Sequence, residues 1–236
     1  MIVRPMTRLL HATAFMTSAA KTSQCPPDQG HEVAFAGRSN AGKSSALNAL
    51  TQQRQLARSS KTPGRTQLIN FFTVSTEETR LVDLPGYGYA AVSASLKANW
   101  QRELQDYLMQ RRSLAGLILL MDIRHPCRDS DMMLLEWART RALPIHILLT
   151  KADKLNRGPA LAALNQVQRQ LKTDNFEASI QLFSATQGTG LEACENLLQS
   201  WLDITFPSSA MVDAPSCESQ DSDNNEHGPT YGSNNE

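Results

Sequence analysis

Cysteine is scarce in this chain. Cys25, Cys127, Cys194 and Cys217 are spread over 236 residues and no two form a C-x-x-C pair. Neither a disulfide framework nor a cysteine-held zinc site is implied, and the usage suits a reducing compartment, so a cytoplasmic location is expected. Long apolar runs are missing too: none approaches the roughly 20 residues of a membrane helix, and no membrane span is expected. Acids are absent before Asp28. The opening stretch, with Arg4, Arg8, His11 and Lys21 among Ser and Thr, superficially resembles an organellar transit peptide but has no secretory-type apolar core. It reads as a basic lead-in, residues 1–30, that packs on the domain. Lys and Arg, in turn, are absent after Lys172. Residues 208–236 carry six acids among Ser, Asn, Gly and Pro and almost no large apolar side chains, the composition of a disordered acidic tail. The formal net charge of zero therefore conceals a part up to Pro207 with 23 bases against 17 acids. That excess suits a domain that meets a polyanion, and it equally suits an ordinary solvated surface.

Between the lead-in and the tail, short β-branched and aliphatic runs alternate with longer amphipathic ones. Strands are predicted at about 32–36, 68–74, 79–84, 116–122, 145–150 and 178–184, and helices at about 43–52, 94–112, 129–142, 158–172 and 190–204. This alternation predicts one α/β domain over 31–207, with a six-stranded, mostly parallel sheet and helices on both faces. The nearly all-apolar run Gly116-Leu117-Ile118-Leu119-Leu120-Met121-Asp122 fits a strand buried on both sides. Ligands of such sheets bind beyond the carboxyl ends of the strands.

Four segments fall at such strand ends. Gly37-Arg38-Ser39-Asn40-Ala41-Gly42-Lys43-Ser44 follows an apolar strand and opens a helix, matching G-x-x-x-x-G-K-S. In that pattern backbone N–H groups curl around phosphate oxygens, the lysine reaches the terminal phosphates and the serine hydroxyl can ligate magnesium. Asp83-Leu84-Pro85-Gly86 follows Leu81-Val82, so a carboxylate can hold a magnesium-bound water while the Gly86 amide meets the γ-phosphate. Thr150-Lys151-Ala152-Asp153 closes a further strand. A carboxylate there can accept from guanine's ring N–H and its exocyclic amine, whereas adenine presents an acceptor and no amine, so guanine is favoured. Phe183-Ser184-Ala185 follows the last strand and would offer a backbone amide to the guanine oxygen. Between the first two segments, the polar loop Lys61-Thr62-Pro63-Gly64-Arg65-Thr66-Gln67 precedes Leu68 and is the natural first switch. Thr66, with Thr62 as its rival, is the candidate second magnesium ligand. Lys97, Arg102, Arg111 and Arg112 intersperse with Trp100, Leu104, Tyr107 and Leu108, spacing that turns the apolar residues to the core and the charges to water. His125, beside Pro126, reads as a loop residue.

Together, Gly37 to Ser45, Lys61 to Phe72, Asp83-Leu84-Pro85-Gly86-Tyr87-Gly88-Tyr89-Ala90 and Leu149 to Leu155 resemble the EngB (YihA/YsxC) family of bacterial GTPases over about residues 15–206. The resemblance implies a Ras-like P-loop GTPase fold, GTP and GDP as ligands, Mg2+ held by Ser44 and Thr66, and catalytic roles for Lys43, Asn40 and Thr66. It further implies nucleotide contacts from Gly64, Arg65, Thr66, Gln67 and Leu68. The implied partner is a large ribosomal subunit precursor, through its RNA and proteins, with an association with cell division and septation; a monomer is expected. The acidic tail goes beyond the family's common core. Two other classes remain open: a P-loop kinase or ATPase, which Asp153 counts against, and a GTP-dependent binding module recruited to the septum.

Tyr87 departs from the Ras pattern, where the residue after Asp-x-x-Gly is a glutamine that orients the attacking water. Water positioning must then come from elsewhere. Asn40 either helps bind a potassium ion near the phosphates, as the resemblance implies, or stabilises its own loop by local hydrogen bonds. Slow intrinsic hydrolysis, raised by a partner, by potassium or by both, is expected.

Overall fold

The central strands are those whose side chains are apolar on both faces. In the computed structural model, which describes residues 4–57, 68–88 and 94–205 (side chains of 94–97 excepted), seven strands form one sheet. They are β1 (Ala14–Ala19), β2 (His31–Gly37), β3 (Ile69–Thr73), β4 (Thr79–Asp83), β5 (Leu114–Asp122), β6 (Ile145–Thr150) and β7 (Ser179–Leu182). The order is β1-β3-β4-β2-β5-β6-β7. Strands β4, β2, β5, β6 and β7 run parallel, while β3 is antiparallel to both of its neighbours. Every residue of β6 is buried, and β2 is buried from Glu32 to Gly37, as expected of parallel strands covered on both sides.

The helices are α1 (Pro5–His11), α2 (Lys43–Thr51), α3 (Ala94–Gln110), α4 (Asp129–Thr140), α5 (Arg157–Thr173) and α6 (Leu191–Trp201). Helices α3, α4 and α5 send Leu104, Tyr107, Leu134, Leu135, Val167 and Leu171 into one core with Ala34, Val82, Leu117, Leu119, Ile147 and Leu149. These strand positions are two apart, so they share one face of the sheet. Helices α1, α2 and α6 pack on one another, and α2 and α6 also touch β2. The sheet is thus sandwiched, and none of the described helices is long and apolar enough to cross a membrane.

Two expectations require correction. The sheet has seven strands where the sequence pattern suggests six, because the N-terminal segment adds β1 antiparallel to β3, from Ala14 opposite Thr73 to Ala19 opposite Ile69. As a bulged edge strand exposed over Ala14 and Phe15, β1 has no clean in–out alternation to reveal it. Helix α1 is tied down by Arg4 and Thr7, which donate to Glu195 of α6 at 2.5 and 2.7 Å. The second correction concerns Arg111, expected in water and found buried. It donates to both oxygens of Glu32, at 2.9 and 2.7 Å, and Glu32 is fully buried between Arg111 and Arg80. Tyr107 adds a hydrogen bond at 2.9 Å. A buried carboxylate demands such partners, and they draw the guanidinium inward. Arg102 and Arg112 are exposed, as expected.

Candidate functional site

The chain reverses its lateral direction at β2, which pairs with β4 on one side and β5 on the other, so the crevice beyond its carboxyl end is where a ligand is expected. The loop from Gly37 to Gly42 occupies that crevice. Gly37 permits close packing, since a Cβ there would lie 2.9 Å from the Leu120 carbonyl oxygen. Gly42 has φ +94°, a left-handed conformation suited to glycine, and turns the chain into α2. No side chain caps α2, so its first N–H groups point toward the crevice with the positive end of the helix behind them. Ser39 Oγ is buried without a hydrogen-bond partner among the described residues. Lys43 and Ser44 stand on the first turn of α2, and Lys43 Nζ is ion-paired with Asp83 Oδ1. Strands β2 and β4 place them there: Phe35 is opposite Asp83, and the Leu84 N–H continues the ladder to the Phe35 carbonyl at 3.0 Å. Leu84 and Pro85 are buried, and Gly86 follows over Ser39.

The loop after β2 is braced from β5 and β6. Thr150, buried at the end of β6, donates its hydroxyl to the Ala41 carbonyl at 2.5 Å, with the Met121 carbonyl also in reach at 3.1 Å. Lys151, in the left-handed region at φ 59°, donates from Nζ to the Asn40 carbonyl at 2.6 Å and pairs with Asp122 at 2.9 Å. Asp122 also accepts from Arg124 Nε and Nη2, at 2.9 and 2.6 Å. Those hydrogen bonds, first from Arg124 and then from Lys151, hold its carboxyl well below the usual range. Asn40 itself has φ 65°, and its exposed side chain makes no hydrogen bond among the described residues. Arg38 is half-buried and lines a cleft with Asp122, His125 and Asp131. His125 is an exposed loop residue.

At the far end of the same edge, Ala152 and Asp153 lie in a 3-10 turn that follows β6. The Ser184 hydroxyl donates to Asp153 Oδ1 at 2.7 Å, and Lys154 stands 3.2 Å from Oδ2. These contacts, the Ser184 hydrogen bond foremost, lower the Asp153 pKa, so its carboxylate is ionised at neutral pH. Buried Phe183 pairs with Leu149 and, through its carbonyl, with the Ala152 N–H at 3.1 Å. The Ser184 N–H is committed to the Thr189 carbonyl at 3.0 Å, while the Ala185 N–H that follows makes no hydrogen bond among the described residues.

The structure therefore gathers Gly37 to Ser44, Asp83 to Gly86, Thr150 to Asp153 and Phe183 to Ala185 along one sheet edge. Leu68 is half-buried just before β3. Thr62, Gly64, Arg65, Thr66 and Gln67 lie outside the described residues, as do Tyr89, Ala90 and the tail 208–236. Tyr87 faces inward: it is 2% exposed, its ring centroid lies 5.8 Å from that of Trp100, and its hydroxyl donates to Asp131 Oδ1 at 2.8 Å. Burial, and then the neighbouring Asp131, push its phenol pKa well above 10. Sequence reasoning missed Asp131. It shares the i, i+3, i+4, i+7 stripe of Leu134, Leu135 and Ala138 on the buried face of α4, but an acid in the first turn of a helix reads as solvated while its distant partner is unknown.

Residues 32–151 match the family described as "50S ribosome-binding GTPase". The chain is 60% identical over 189 residues to the "Probable GTP-binding protein EngB" of Acinetobacter baumannii, covering 80% of this chain and 90% of that protein. It is 59% identical over 189 residues to the protein of the same name from Acinetobacter baylyi, covering 80% of each. The fold is similar to the crystal structure of a probable GTP-binding protein engB, with a TM-score of 0.60 at 19% identity, covering 73% of this chain and 98% of that one. With its α/β P-loop fold and this level of identity along most of its length, the chain belongs to the EngB family of GTPases.

Proposed function

We propose that this protein is a magnesium-dependent guanine-nucleotide switch whose GTP-bound state docks on a precursor of the large ribosomal subunit, with slow intrinsic hydrolysis. The observation that carries the reading is the single sheet edge on which Lys43, Asp83, Asp153 and Ala185 line up. The uncapped start of α2 and Lys43 suit the phosphates, and the ionised Asp153 beside the Ala185 N–H suits the donor and acceptor edge of guanine. Ser44 and Thr66 would hold a divalent cation near the Lys43–Asp83 pair, with Asp83 on a bound water. Held there, magnesium would supply positive charge to offset that of the phosphates. Lys43 would orient the terminal phosphate, and Lys151 and Thr150 would keep the loop beneath it rigid through the Asn40 and Ala41 carbonyls.

With Tyr87 turned into the core, the attacking water must be oriented by another group, consistent with hydrolysis that waits for a partner or a monovalent cation. The ribosomal partner is supported by the family description, "50S ribosome-binding GTPase", and by the basic excess up to Pro207. The proposal extends to a role in normal cell division and septation, which the resemblance to the EngB family implies. The test has two arms. Fluorescent GDP should be displaced by GTP and GDP, and ATP competing equally with GTP would overturn the base assignment. Ribosomal particles from depleted cells should include incomplete large subunits, and the protein should cosediment with them in its GTP state. Absence from particles in every nucleotide state would point instead to recruitment at the septum.

A further inference from the structure

Gly86 has no side chain with which to fix its own amide, and the residues around it do the fixing. On its upstream side the Leu84 N–H is held by Phe35, and Pro85 contributes a restricted φ and no donor. On its downstream side both backbone groups of Tyr87 reach the P-loop: its carbonyl accepts the Ser39 N–H at 2.8 Å and its N–H faces the Gly37 carbonyl at 3.4 Å. Arg38 and Tyr87 form a parallel bridge, and a Cβ on Gly86 would lie 3.7 Å from the Ser39 nitrogen. The Tyr87 side chain then anchors this corner to a helix. Its hydroxyl donates to Asp131 Oδ1 at 2.8 Å, and Asp131, 1% exposed, uses Oδ2 to accept the Arg128 N–H at 3.0 Å where α4 begins. Each carboxylate oxygen thus has a partner, and the phenol proton is used. Burial raises the Asp131 pKa against the opposing effect of these hydrogen bonds, which makes the Tyr87 donor the more valuable to it.

We propose that Tyr87 and Asp131 are a positioning pair that clamps the Gly86 amide against the P-loop and thereby sets the preference of the site for nucleoside triphosphate over diphosphate. The proposal rests on the reading that the Gly86 amide meets the terminal phosphate. A diphosphate has no group at that position, so loosening the clamp weakens triphosphate binding alone. Tyr87 thus supplies a fixed support for the triphosphate-sensing amide where a glutamine would have acted on the water.

The test titrates GDP and a non-hydrolysable GTP analogue into the same preparation of each full-length variant, so that the affinity ratio is independent of the active fraction. Tyr87→Phe keeps the ring against Trp100 and removes only the anchor. Asp131→Ala removes the acceptor. Asp131→Asn can keep both partners, with its carbonyl on the Arg128 N–H and its amide donating to the phenol oxygen. In Tyr87→Phe and Asp131→Ala, affinity for the analogue should fall about fivefold while GDP affinity stays within about twofold, and Asp131→Asn should remain close to the wild-type ratio. A wild-type ratio in Tyr87→Phe, whatever its melting temperature, overturns the proposal, as does an equal shift in all three variants. Failure of the unmodified protein to bind either nucleotide would instead refute the underlying reading of the site.

Discussion

Replacing Asp153 with Asn tests the base assignment with a change of one atom. In the folded protein the carboxylate is ionised, with Oδ1 receiving the Ser184 hydroxyl at 2.7 Å and Oδ2 beside Lys154 at 3.2 Å. A carboxylate so oriented can accept from two donors of guanine at once. An Asn side chain has one acceptor and one donor, and either orientation places its NH2 against a guanine donor or against Ser184. At least one charge-assisted hydrogen bond is lost, worth about 1.5–3 kcal/mol, or about 10- to 150-fold in affinity. The Ser184→Ala control removes a neutral donor that only holds the carboxylate in place, and should cost about 2- to 10-fold. The assay is displacement of fluorescent GDP at fixed salt, with GTP and xanthosine triphosphate as competitors. Xanthine carries a carbonyl where guanine has its amine, so the Asn amide gains an acceptor and the xanthine nucleotide should become the better ligand. GTP binding within about twofold of the unmodified protein would refute the reasoning, and so would equal gains by xanthosine triphosphate and ATP, since that pattern means a loosened site.

Other consequences follow from groups elsewhere in the fold. Glu32→Ala leaves Arg80 and Arg111 buried without their carboxylate and should cost about 3–5 kcal/mol in a denaturant titration; a loss under about 1 kcal/mol would show that the network is dispensable. His146, buried between Ser179 and Gln181, has its pKa lowered chiefly by burial, so the unfolded chain takes up a proton near pH 6.5 that the folded chain resists. Stability should therefore fall as pH drops below about 6.5, and His146→Gln should shrink the difference in melting temperature between pH 7.5 and 5.5; an unchanged difference removes His146 as its source. If Asn40 assists a potassium ion, GTP turnover should be faster in potassium than in sodium and Asn40→Ala should abolish the difference, whereas equal turnover in both salts refutes that role.

Why some of this was legible in the sequence and some was not comes down to how far apart the determining residues lie. Asp83, Lys151 and Asp153 each sit within a few residues of the strand end that places them, so a short motif and an apolar run suffice to read them. The alternation of buried strands and amphipathic helices is likewise a local property, which is why β2, β5 and β6 could be drawn from hydropathy nearly to their ends. Strand β1 escaped because an edge strand is not obliged to alternate, and its partner β3 begins 50 residues further on. Arg111 and Asp131 escaped for a related reason: what buries each is a neighbour 79 or 44 residues away, Glu32 for the first and Tyr87 for the second. A charge at a helix end reads as solvated until its partner is known, because only a long-range partner makes burial affordable in free energy. The same logic explains Tyr87. Its position after Asp-x-x-Gly suggests a group that faces the nucleotide, yet a phenol has enough apolar surface to favour the core once a buried acceptor is available for its hydroxyl, and Asp131 is that acceptor. The missing glutamine is therefore accompanied by a structural commitment: the residue in its place belongs to the scaffold, and the group that orients water has to be delivered from another part of the molecule or by what the molecule binds.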